Sequence, residues 1–118
     1  MSQDAKALLQ PLISLLGKSE KSQLKLAPGT WQHTMLQDNI DALRMGLALL
    51  DTGEGVAPEY PRDELQRASV AFATMITKTE KALAMFERGT SQHTLQMNRL
   101  AALRAGGARV REALQRPL

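Results

Sequence analysis

A shift of sixty residues lays the chain over itself, and no other feature limits its fold so strongly. Gly29-Thr30-Trp31-Gln32-His33-Thr34 falls on Gly89-Thr90-Ser91-Gln92-His93-Thr94. Lys18-Ser19-Glu20-Lys21 falls on Lys78-Thr79-Glu80-Lys81, and Ala42-Leu43-Arg44 falls on Ala102-Leu103-Arg104. Gly46 and Ala48 meet Gly106 and Ala108, and Leu15, Leu16, Leu26 and Ile40 meet Met75, Ile76, Phe86 and Leu100. Identities clustered this way, with no gap, point to a tandem duplication: copy one over residues 1–58 and copy two over 61–118, together one domain. A repeat of this size is one supersecondary unit that cannot bury its apolar face alone.

The spacing within each copy predicts two helices. In the first, Ala5, Leu12, Ser19 and Leu26 share a heptad position, as do Leu65, Phe72, Thr79 and Phe86. A companion position holds Leu8, Leu15 and Ser22, matched by Ala68, Met75 and Ala82. In the second, the seam runs His33, Leu36, Ile40, Leu43, Leu47, Leu50, and then His93, Gln96, Leu100, Leu103, Gly107, Val110, Leu114. Apolar residues at steps of three and four mark an amphipathic helix. Ala27-Pro28-Gly29 and Glu87-Arg88-Gly89 are short breaks, and Thr30 and Thr90 are suited to cap the helices that follow. Short connections make the helices of each copy antiparallel neighbours. A longer loop from Asp51 to Pro61, with Gly53, Gly55 and Pro58, separates the copies. The expected fold is all-α: a four-helix bundle of two tandem hairpins related by a pseudo-twofold. Pro11 and Gly17 have no counterparts in copy two, which predicts a late start, kink or break in the first helix. Gly46 reads as a close helix approach, whereas Gly106-Gly107 is compatible with packing or with a broken helix.

Composition fits this fold. With hydrophobic residues at 43% and aromatics at 3%, the core must be built mostly from Leu, Ile, Met and Ala. The chain has no cysteine, which excludes disulfides, cysteine-ligated metals and a thiol nucleophile. Apolar runs such as Leu47–Leu50 are far short of the roughly 18–20 residues that span a bilayer, and the N-terminus does not read as a signal peptide. The expectation is a cytoplasmic protein without a membrane partner.

Charge is uneven. Residues 1–60 hold five basic and seven acidic side chains, and residues 61–118 hold ten basic and five acidic. The basic half raises nucleic-acid binding, with Arg99, Arg104, Arg109, Arg111 and Arg116 as candidate contacts. At about 100° per residue these arginines do not gather on one helix face, and no aromatic residues interleave them for base stacking. Arg44 and Arg104 flank the seam, where a pair with Glu20 or Glu80 is the simpler account and anion binding the alternative.

His33 and His93 occupy equivalent positions and could meet as metal ligands or a proton-transfer pair. Each lies on the apolar seam in the first turn of a helix, where the dipole disfavours an imidazolium, so a neutral structural histidine is the simpler reading. Two histidines without Glu-x-x-His spacing make a poor metal site, and no cofactor is expected. No phosphate loop, nucleophile elbow or His-Glu-x-x-His motif occurs.

Departures from the repeat say more about function. The second helix of copy one bears an additional apolar stripe, Met35, Ala42, Met45 and Leu49, weakened in copy two to Leu95, Ala102, Ala105 and Arg109. Trp31 stands where copy two has Ser91. A helix apolar on two sides is either central or covered by something else, and Trp and Met are frequent interface residues. Trp31, Met35, Met45 and Leu49 are therefore the expected surface for a protein partner or a second copy in a homodimer. The leading expectation is a non-enzymatic protein-interaction module such as an adaptor, assembly subunit or chaperone. Nucleic-acid binding ranks second, and a metal-dependent activity at the histidines third.

Overall fold

A computed structural model describes residues 3–51 and 58–116, the first four of them by backbone alone. Four helices follow one another, α1 (Gln3–Gln23), α2 (Trp31–Asp51), α3 (Arg62–Ala84) and α4 (Ser91–Gln115), with no strand among the described residues. Most of the expected inter-copy loop lies outside them.

The starts of α2 and α4 show how sequence sets local structure. Gly29 and Gly89 have φ of 91° and 87°, the left-handed region where a side chain is strained and glycine is not. Each directs the chain into a threonine cap. The Thr30 hydroxyl donates to the Ala27 carbonyl (2.8 Å) and accepts from the His33 amide (3.3 Å). Thr90 does the same with Glu87 (2.7 Å) and His93 (3.2 Å). The hydroxyl thus satisfies an otherwise orphaned first-turn N–H. α3 begins after Pro61 without a side-chain cap, and Asp63 and Glu64 in its first turn complement the dipole instead.

The first helix corrects two of the expected alternatives, a late start and a break. α1 runs unbroken past Pro11 and Gly17. Proline removes a backbone donor, but Leu12 beside it is fully buried, so packing holds the helix where local propensity would not. α4 likewise continues through Gly106-Gly107, both buried.

α1 packs on α2, and α3 on α4, as two hairpins. α2 and α4 also touch each other, and each contacts the first helix of the opposite hairpin. They are therefore the central pair, in a flattened bundle of 44 × 40 × 20 Å. At their crossing a Cβ built on Gly46 would lie 3.5 Å from the Gly106 Cα, and the Phe72 ring fills the remaining space. Phe72, Leu12, Ile40, Leu43, Leu103 and Val110 are the largest fully buried side chains.

Contacts recur at the sixty-residue offset. Arg44 pairs with Glu20 (2.8 Å) and Arg104 with Glu80 (3.1 Å), both at the half-exposed surface. The buried hydroxyls of Ser19 and Thr79 donate to the carbonyls of Leu15 (2.9 Å) and Met75 (2.8 Å).

Candidate functional site

The apolar stripe on α2 divides. Met45 and Leu49 are only 6% and 5% exposed and belong to the core of the chain. They are corrected here from surface to interior, because α2 is a central helix and its second apolar side faces α3 rather than solvent. Trp31, by contrast, is 70% exposed, and Met35 one turn on is half-buried.

These two side chains form one wall of a groove of about 690 Å³ between α2 and α3. The facing wall is Val70, Ala71 and Thr74 of α3. Val70 is 61% exposed, an apolar side chain left in solvent beside Trp31. Asp38 and Arg67 line this groove and also a smaller one of about 310 Å³ that continues along the same helix pair. There Ala42, Met45 and Ala68 contribute apolar lining, while Asp41, Arg44 and Glu64 add charge. Trp31 to Met45 covers roughly 21 Å of helix at 1.5 Å per residue, about four turns.

The charges along this trough are unequal in what they have left to give. Arg44 is engaged by Glu20, and Arg67 by Asp63 at 3.4 Å. Asp41 accepts a hydrogen bond from Gln37 (2.9 Å). Asp38 and Glu64 have no ion pair among the described residues, so the free charge of the trough is acidic.

Sequence reasoning missed the α3 wall. The available signal was Val70, an apolar residue off the first-helix seam, where copy one has the polar Gln10.

The five candidate arginines are dispersed. Arg104 pairs with Glu80 across helices, and Arg109 with Glu112 at 3.6 Å along α4. Arg111 and Arg116 are exposed. Arg99 is half-buried, and its Nη2 is sealed from solvent with no hydrogen-bond partner. Burial pushes its guanidinium below the usual range. His33 and His93 are both half-buried, and among the described residues no three His, Asp or Glu side chains form a group able to hold a metal ion. No helix among those residues is long and apolar enough to cross a membrane.

Comparison of the chain with protein-family models, with curated proteins and with solved structures finds no match.

Proposed function

We propose that this protein is a non-enzymatic interaction module whose α2–α3 trough docks a short amphipathic helix of a protein partner. The carrying observation is the exposed apolar lip of Trp31 and Val70, leading into a trough about four helical turns long. Such a groove accepts apolar anchors spaced at three and four residues on a partner helix. The unpaired carboxylates of Asp38 and Glu64 select basic residues on that helix, by complementarity that steers approach and fixes register. A large, rigid, solvated indole is the kind of side chain that anchors interfaces.

The test compares affinity capture by the wild-type chain with capture by a Trp31→Ala/Val70→Glu variant that matches it in circular dichroism. Photo-cross-linking from position 70 maps where a captured protein sits, and light scattering measures mass. A basic helical segment cross-linked at position 70, and lost from the variant, supports the reading. An unchanged set of captured proteins rejects it. A dimeric mass abolished by the variant makes a second copy of the chain the occupant in place of a foreign helix.

A further inference from the structure

A separate pocket of about 300 Å³ takes equivalent positions from both copies of the repeat. Leu15 and Met75 supply its apolar lining in a matched pair, Ser19 and Thr79 form a second pair, and Asn39 and Arg99 a third. The volume sits at the lower end of the range for small-ligand sites, roughly 300–1,000 Å³.

The charged groups in it are of one sign. Ser19 and Thr79 spend their protons on carbonyls of their own helices. Arg99 and Lys78 bring charged donors, Asn39 and Gln96 bring amides that can both donate and accept, and neither amide makes a hydrogen bond among the described residues. No carboxylate among those residues lines the pocket. Arg99 is the decisive member. Neither it nor Lys78 has an ion pair among the described residues, and the Arg99 Nη2 has no hydrogen-bond partner, so two positive charges line the pocket with nothing to neutralise them. Guanidinium stays protonated at any physiological pH, so the unmet demand is for an anion.

We propose that this pocket binds a small oxyanion, a phosphate or carboxylate group, held by Arg99 with Lys78 beside it. The planar guanidinium fork matches both groups in geometry, and an ionised acceptor makes the stronger, charge-assisted hydrogen bond. Lys78 adds a second positive charge, and Asn39 and Gln96 offer neutral donors to the remaining oxygens. The assignment does not depend on the α2–α3 trough, which shares only Asn39 with this pocket.

The experiment titrates the full chain with sodium phosphate, and separately with sodium acetate, against sodium chloride at equal ionic strength. Thermal unfolding and calorimetry are the readouts. Phosphate, acetate or both should raise the wild-type Tm beyond chloride, and the arm that does so identifies the group. Arg99→Leu should weaken that binding roughly tenfold or more, the loss expected for a charge-assisted contact, while Arg104→Gln should leave it unchanged. Should Arg99→Leu not fold, Arg99→Lys keeps the charge but loses the fork and should still weaken binding. Movement of the Arg99 side-chain N–H resonances in wild-type protein gives a readout without any variant. No response to either anion overturns the proposal, as does an equal response in the Arg99 variants. Stabilisation by a mixed-sequence oligonucleotide but not by phosphate or acetate overturns it in favour of nucleic-acid binding.

Discussion

A Cβ placed on Gly46 would lie 2.6 Å from the Cζ of Phe72, closer than side-chain atoms tolerate. The ring has little room to yield, because Phe72 is fully buried and its Cζ and Cε1 also lie 3.0 Å from a Cβ built on Gly106. Gly46→Ala gains helix propensity of about 1 kcal/mol, but overpacking a closed core costs about 1–3 kcal/mol. With so short an approach the second effect prevails. Urea unfolding should show Gly46→Ala net destabilised by about 1 kcal/mol or more. Adding Phe72→Leu should make the same alanine less harmful in a double-mutant cycle. Additive effects would show that the ring is not what reserves the space.

Gly17 gives the opposite sign. It also lies inside a helix, but a Cβ there would meet nothing within 4 Å. Only propensity and the unfolded chain's entropy then change, so Gly17→Ala should stabilise by about 0.5–1 kcal/mol. A loss of stability in the same urea assay would mean that α1 is strained around Pro11 and needs the freedom glycine allows.

These two glycines mark how much the amino-acid pattern reveals. The seam positions Leu12, Phe72, Leu43 and Leu103 were legible because each recurs at helical spacing, and all four are fully buried. Gly46 was legible as a close approach because it recurs at Gly106 beside alanines. Met45 and Leu49 were misplaced for a physical reason: periodicity shows that a helix has two apolar sides, but not which neighbour covers the second. That assignment depends on α2 lying at the centre of the bundle, a property of how the hairpins dock. Arg99 was harder still. Its charge suggested a solvated face, and its position opposite the neutral Asn39 in the repeat was the one departure that hinted at a different environment. For the α3 wall of the trough, Val70 off the seam was a hint of an apolar surface, but which helix faces it depends on a contact between copies that no local pattern encodes.

The threonine caps should be worth more than their exposure suggests. Each hydroxyl bridges a turn carbonyl and a first-turn amide, and losing a Thr cap costs about 0.5–2 kcal/mol. Thr30→Ala and Thr90→Ala should each lower stability by about 1 kcal/mol, whereas Thr30→Ser and Thr90→Ser should retain most of it. Equal losses for alanine and serine would locate the effect in the threonine methyl group rather than the hydrogen bonds.

The interhelix ion pairs should matter less. Glu20–Arg44 and Glu80–Arg104 have short contacts, but their side chains are between 46% and 58% exposed. Water and salt screen such pairs, which contribute about 0–1 kcal/mol. A Glu20→Gln/Arg44→Gln cycle should return a coupling within that range, and it should shrink as sodium chloride is raised. A coupling that is large and insensitive to salt would mean that these surface groups are drier than their exposure implies, and would make Arg44 a structural anchor of the trough.

Trp31 offers the most direct check on that trough, because it is the chain's only tryptophan and its indole is exposed. In the unliganded monomer its fluorescence should resemble that of a solvated indole and be quenched readily by iodide and by acrylamide. Iodide, being an anion, is repelled by Asp38 and Glu64, so its quenching should improve as salt screens those carboxylates, while neutral acrylamide should be indifferent. A bound helix that covers Trp31 and Val70 must exclude both quenchers and shift the emission to the blue. Full accessibility of Trp31 in the presence of a partner shown by sizing to be bound would place the interface elsewhere on the bundle. Protection in the isolated chain that deepens with protein concentration would instead identify a second copy as the occupant.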